Sequence, residues 1–196
     1  CTATLKAVIK YYVRKGGRAY AALLDASKAF DFANYNKIFR MLLARGIPAS
    51  VVRLLHIWYK NTANRTSWKG SKSTPFGLTH GVKQGGLLSP ALFAILYDEL
   101  LMKLAHSKYG CRVEGVYFGV IAYADDIVLL APSRSALSAM LKICETWSAD
   151  NLIKFNATKS QCIIFRNIND QVDKKIVPLE LDGKNIPFAD EVKHLG

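Results

Sequence analysis

The run Val120-Ile121-Ala122-Tyr123-Ala124-Asp125-Asp126-Ile127-Val128-Leu129-Leu130 places two adjacent carboxylates between two apolar segments. A strand, a tight acidic turn and a second strand is the simplest reading. Carboxylates rarely sit between apolar strands without a partner. A divalent metal ion is the obvious one. Adjacent aspartates alone are weak evidence, because many such pairs are plain surface turns.

Charge supplies a second constraint. Residues 1–97 carry 15 Lys/Arg and only two acids, Asp25 and Asp31, whereas residues 98–196 carry 12 Lys/Arg and 13 acids. A half-chain this basic suggests a polyanionic partner, nucleic acid above all, with a merely solvated surface as the ordinary alternative. The apolar flanks of its two acids weigh against that alternative. The chain is 51% hydrophobic, so a packed core is expected rather than disorder. No apolar run approaches the ~18 residues of a membrane span, and there is no signal-peptide pattern. The chain opens at Cys1 and stops at Gly196 in a strand-like segment, so both ends are expected to continue into a longer protein. Cys1, Cys111, Cys144 and Cys162 form no CxxC pair. Reduced, buried thiols of an intracellular protein are expected, not a zinc site.

Along the chain, Arg18–Leu24 reads as a buried strand ending at Asp25. Ile38, Phe39, Leu42 and Leu43 share a helical face that Gly46 and Pro48 terminate. Val51, Leu54, Leu55 and Trp58 repeat that spacing. Thr66–Lys69 and Ser73–Leu78 flank Gly70-Ser71 as a hairpin on basic ground. Ser89 reads as an N-cap, with Pro90 opening a helix through Leu92, Phe93, Leu96 and Leu100. Ser133 caps a helix with Leu137, Met140, Leu141, Cys144 and Trp147 on one face. Gln161–Phe165 and Ile176–Leu181 read as strands, with Asp182-Gly183 as a turn. Strands mixed with helices give an α/β (α+β) fold.

Leu24-Asp25-Ala26-Ser27-Lys28-Ala29-Phe30-Asp31 resembles motif A of the reverse transcriptases of non-LTR (LINE-type) retrotransposons. Gly81-Val82-Lys83-Gln84-Gly85-Gly86-Leu87-Leu88-Ser89-Pro90-Ala91-Leu92-Phe93 resembles their motif B, and Ala122-Tyr123-Ala124-Asp125-Asp126 their motif C. Asn156-Ala157-Thr158-Lys159-Ser160 resembles motif D, and His194-Leu195-Gly196 the start of motif E. Five motifs in the family's order cover nearly the whole chain.

The resemblance implies a right-hand polymerase palm, an antiparallel sheet backed by helices, in residues 1–32 and 89–196, with part of the fingers in 33–88. It implies an RNA-directed DNA polymerase in which a primer 3′-OH attacks the dNTP α-phosphate. Asp25, Asp125 and Asp126 would hold two Mg²⁺ ions, with Mn²⁺ as a substitute, and Asp126 would make the weaker contact. Phe30 takes the steric-gate position against a ribose 2′-OH; without the motif it reads as a core residue opening a helix. Lys28 reads equally as a triphosphate contact or a solvated lysine. Backbone N–H groups from Ala26 through Ala29 to Phe30 would cradle phosphates at a helix start. Asp31 reads as a helix-terminal acid outside the metal triad. Gln84 and Gly85 would lie beside the incoming nucleotide and its templating base, and Gly86 reads as a turn glycine. Lys159 is the candidate acid that protonates pyrophosphate, or else a surface lysine. His194, Leu195 and Gly196 would begin the primer grip.

The implied partners are template RNA, a DNA primer, dNTPs and the rest of a parent polyprotein. Its fingertips, thumb and endonuclease are expected outside these residues, so the fragment alone is expected to be inactive. The implied location is the nucleus and a cytoplasmic ribonucleoprotein, with no membrane association. A departure is Leu152, where motif D commonly has glycine. An RNA-directed RNA polymerase is disfavoured by Phe30. A non-catalytic nucleic-acid-binding relic is disfavoured by the intact acids.

Overall fold

The computed structural model describes residues 2–27, 29–77, 80–83, 85–167, 170 and 177–191. Lys28, Gln84, His194, Leu195 and Gly196, all singled out above, lie outside the described residues. The chain runs α1 (Thr2–Arg14), β1 (Ala19–Ser27), α2 (Ala29–Phe32), α3 (Tyr35–Ala44), α4 (Ala49–Asn61), β2 (Ala63–Asn64), β3 (Ser67–Trp68), β4 (Ser71–Lys72) and β5 (Phe76–Gly77). It continues as α5 (Ser89–Ala105), β6 (Arg112–Val113), β7 (Val116–Tyr117), β8 (Val120–Tyr123), β9 (Asp126–Ala131), α6 (Arg134–Asn151), β10 (Lys154–Phe155), β11 (Gln161–Phe165), β12 (Leu179–Leu181) and β13 (Lys184–Ile186). Two compact units result, residues 1–27 with 98–196, and residues 28–97.

The first unit is built on an antiparallel sheet in which β1 lies between β9 and β11, β8 flanks β9, and β10 pairs with the end of β1. Ala19, Ala21, Ala22 and Ala26 keep β1 thin enough for close packing. Ala21, Val128, Leu130 and Ile163 form one core cluster with Val8 of α1 and Cys111. By strand alternation Ile127 and Leu129 face the other side. The α6 helix, capped by the Ser133 hydroxyl accepting from the Ala136 N–H, packs on β1, β9 and β10. All five residues of its expected face are buried. Cys111, Cys144 and Cys162 are free, buried thiols. Burial pushes Cys111 up to about 11 and Cys162 up to about 12, so both stay protonated near neutrality.

In the second unit Ile38, Phe39 and Leu42 of α3 are buried, but Leu43 is exposed. Arg45 and the residues after it close the helix, with Gly46 at φ +79°. The inward stripe of α4 differs from expectation. Val52 is buried and Leu55 and Tyr59 half-buried, whereas Val51, Leu54 and Trp58 are exposed. Periodicity finds a stripe but does not choose between two apolar ones a residue apart. The hairpin turn is Lys69-Gly70, not Gly70-Ser71. Ser67 pairs with Lys72 and Trp68 with Ser71, and both turn residues have positive φ, the pattern of a type I′ turn. Ser89 lies inside the first turn of α5, with the Leu88 carbonyl accepting from the Leu92 N–H, so Ser89 is not the cap.

Candidate active site

Asp25 is positioned by the register of β1. It lies directly opposite Asp126 across the β1–β9 ladder. On the other side of the same turn, Tyr123 pairs with Asp126, which leaves Ala124-Asp125 as a two-residue loop between β8 and β9. Ala124 takes φ +53°, a conformation that costs a non-glycine residue of order 1–2 kcal/mol. Asp125, at the tip of this turn, is exposed, while Asp126 is half-buried. The three acids of the expected triad therefore come from one pair of neighbouring strands and the turn that ends one of them. The Asp25 side chain is 38% exposed, yet its Oδ1 is sealed from solvent with no hydrogen-bond partner among the described residues. A buried carboxylate oxygen left without a hydrogen bond is costly, so it marks a place where a cation belongs.

Lys159 reaches the same atom, with Nζ 4.0 Å from Asp25 Oδ1. The lysine side chain is 67% exposed, so this long pair is heavily screened. What places it is the loop after α6. Leu152 ends that helix at φ +58°, adopting the left-handed cap that glycine usually takes. The chain then pairs Phe155 with Ala26 and Lys154 with Ser27. The Asn156 N–H donates to the Asp25 carbonyl at 2.7 Å, and the Asp25 N–H donates to Ser160 Oγ at 3.3 Å. Asn156 Oδ1 in turn accepts from the Thr158 and Lys159 N–H groups. The Asn156–Ser160 turn thus grips the backbone of Asp25 on both sides. Asn and Ser are frequent turn residues that hydrogen-bond nearby backbone. The grip on Asp25 depends on pairing across more than 100 residues, which no local pattern announces.

The second unit carries the remaining candidates. The Phe30 ring stacks on Phe93, with centroids 4.2 Å apart and planes 12° apart, and Phe93 is buried. Phe30 itself is half-buried, so its ring is fixed from behind but not enclosed. Ala26 and Ser27 still belong to β1, and α2 has only four residues, so the expected phosphate cradle of N–H groups does not begin at Ala26. The Val82 N–H donates to the Phe30 carbonyl at 2.7 Å and the Gly81 N–H to the Ala33 carbonyl at 2.9 Å. The Tyr35 hydroxyl donates to the Gly81 carbonyl. A Cβ on Gly81 would meet the Asp31 carbonyl oxygen at 2.7 Å. Gly81 is thus the glycine that lets these two segments meet, a role sequence reasoning missed. Gly85 has positive φ with open space around it, and a Cβ on Gly86 would meet Ser89 Oγ at 2.6 Å.

Among the described residues no three His, Cys, Asp or Glu side chains cluster closely enough to enclose a metal ion. Mg²⁺ needs no such cage, because it takes one or two carboxylates and completes its shell with water and substrate phosphates. Asp25, whose Oδ1 accepts no hydrogen bond among the described residues, with Asp126 opposite, fits that open kind of site.

The family model described as "Reverse transcriptase (RNA-dependent DNA polymerase)" matches residues 2–196. The chain is 34% identical over 185 residues to the Pol polyprotein of the type-2 retrotransposable element R2DM of Drosophila melanogaster, covering 90% of the chain and 17% of that protein. It is 29% identical over 203 residues to a Pol polyprotein of the type-1 retrotransposable element R2 of Nasonia vitripennis, covering 100% of the chain and 20% of that protein. The chain therefore spans about a fifth of the length of these relatives. Among solved structures, a Candida tropicalis telomerase in complex with a fragment of telomeric RNA superposes with a TM-score of 0.65 at 14% identity, covering 94% of the chain and 32% of that protein. That likeness concerns the fold alone.

Proposed function

Because the chain belongs to the reverse transcriptase family, whose members use divalent metal ions, we propose that its parent polypeptide is an RNA-directed DNA polymerase of the non-LTR retrotransposon type. In this proposal the palm is 1–32 with 89–196, part of the fingers is 33–88, and this chain carries the catalytic acids. The observation that carries the reading is the opposition of Asp25 and Asp126 across β1 and β9, with Asp125 in the adjoining turn and Asp25 Oδ1 without a hydrogen bond among the described residues.

The reaction joins a primer 3′-oxygen to the α-phosphorus of a dNTP, the hydroxyl proton passing to solvent, and breaks that phosphorus's bond to the bridging oxygen, so that pyrophosphate leaves. Asp25 and Asp125 would present carboxylate oxygens to two Mg²⁺ ions, and Asp126 would contribute a weaker contact. When bound, such ions would neutralise charge on the phosphate oxygens and lower the pKa of the attacking hydroxyl. The β1–β9 ladder fixes where the acids stand, so little ordering remains at the moment of reaction. Lys159 holds a proton at Nζ that the departing pyrophosphate takes. Its exposure leaves it free to turn from Asp25 toward that leaving group. Phe30, braced by Phe93, excludes a ribose 2′-OH. The basic charge of residues 28–97 supports contact with template and primer phosphates.

The test is Mg²⁺-dependent extension of a DNA primer on an RNA template by the parent polypeptide and its Asp125→Ala variant. The reading expects extension by the first and none by the second. Equal extension by both would sink the catalytic assignment.

A further inference from the structure

Beside the segment Gly81–Lys83, and wholly within the second unit, lies a cavity of about 430 Å³. None of the acids lines it. One wall is aromatic. The Tyr35 and Tyr59 rings have centroids 4.8 Å apart, and Trp58 is tilted 56° to Tyr59. Tyr59 is braced from behind by Phe39, and the Tyr35 hydroxyl is committed to the Gly81 carbonyl. Trp58 is braced far less, being 59% exposed. The polar lining is sparse and well suited to an edge: the half-buried Asn64 amide, which makes no side-chain hydrogen bond among the described residues, and the exposed Lys83 ammonium. Apolar aromatic walls with a few converging polar groups make a ligand site, and this volume suits a nucleoside-sized occupant. Charge narrows the chemistry further. Residues 28–97 hold ten Lys/Arg against Asp31 alone, so a polyanion is favoured over a neutral aromatic molecule.

We propose that this cavity receives one unstacked base of a single-stranded nucleic acid, stacked on Trp58 and Tyr59, with its edge on Asn64 and an adjoining phosphate near Lys83. The proposal rests on the template-reading function above and adds a named subsite to it. Base–aromatic stacking tolerates every base, so the subsite holds a strand in register without reading its sequence.

The test measures binding of the parent polypeptide to a single-stranded RNA of about twelve nucleotides, without primer or dNTP, while one abasic position is moved along the strand. At one register the abasic strand is expected to bind about tenfold more weakly. Trp58→Ala is expected to lose the same roughly tenfold on the intact strand and to become indifferent to the abasic position, whereas Trp58→Phe recovers most of the loss. Lys83→Gln is expected to flatten the salt dependence by about 0.7 in log–log slope, one phosphate contact on a single strand. Asp125→Ala keeps full strand binding while losing extension, so failure of the subsite and failure of the catalytic reading are separable. The proposal is overturned if abasic dependence persists in Trp58→Ala, or if Trp58→Ala binds every strand as the unmodified protein does. It is also overturned if adenosine monophosphate fills the site as tightly as the strand, because the occupant is then a free nucleotide.

Discussion

Residues 1–27 with 98–196 set seventeen Lys/Arg against fourteen acids, whereas residues 28–97 set ten against one. Their apolar residues are used differently as well. Among the described residues, eleven of the seventeen large hydrophobic side chains left exposed fall in 28–97, although it is the smaller unit. The first unit turns its apolar residues inward on a five-stranded sheet and leaves a few carboxylates at one strand end. The second leaves Leu54, Trp58, Trp68 and Leu87 in solvent amid positive charge. A rigid frame for chemistry needs its own packing to be complete. A surface that grips a polyanion and its bases needs cations and aromatic faces left over.

Substitutions should separate the two roles. Asp25→Asn or Asp125→Asn is expected to lower single-turnover nucleotide incorporation about a thousandfold and Asp126→Asn about tenfold, with template affinity unchanged. A large loss of affinity in these variants would break the division. Phe30→Val, in the second unit, is expected to leave the dNTP rate within a few-fold and to raise rNTP incorporation by about tenfold to a hundredfold, read from a ribonucleotide competition assay. An unchanged ratio would return Phe30 to a packing role against Phe93. Gly119→Ala sharpens the claim that the first unit is tightly packed. A Cβ there would collide with the Tyr117 ring, so a loss of about 1–3 kcal/mol is expected in a urea titration. Raising the pH tests the same packing. Burial raises the Cys111 and Cys162 thiols in the folded state, so their contribution is whole at neutral pH and is lost as pH rises beyond the unfolded thiol's value toward about 11 and 12. The urea midpoint should fall over that range, and less so in a Cys111→Ala variant. Smallest of all, Leu152→Gly should gain about 0.5–1 kcal/mol, because the left-handed cap is strained for leucine and its side chain is exposed.

Local rules read the first unit well. Leu137, Met140, Leu141, Cys144 and Trp147 share one helical face and are all buried, since a single apolar stripe leaves one solution. The Val120–Leu130 hairpin was equally plain, because two apolar strands and a two-residue turn admit few registers. The same rules slipped on α4, whose apolar residues form two overlapping stripes, and on the hairpin turn, where the Gly-Ser pair pointed to Gly70-Ser71 but the register places the turn at Lys69-Gly70. The two-residue strand β10 and the grip of Asn156 and Ser160 on Asp25 were illegible for another reason. They exist only once β1 is in place, more than 100 residues away. Gly81 escaped notice likewise, because the carbonyl that forbids it a Cβ belongs to Asp31. The positions of the acids were legible in the motifs. The opposition of Asp25 to Asp126 is a matter of register, and only the ladder supplies it.

Single-turnover incorporation of one dNTP on an RNA template, compared between the parent polypeptide and its Asp25→Asn variant at saturating primer–template, tests the central claim most directly. The account predicts about a thousandfold slower chemistry in the variant with its affinity for primer–template intact. Incorporation at the unmodified rate, with Asp25 unable to serve as a carboxylate, would contradict it.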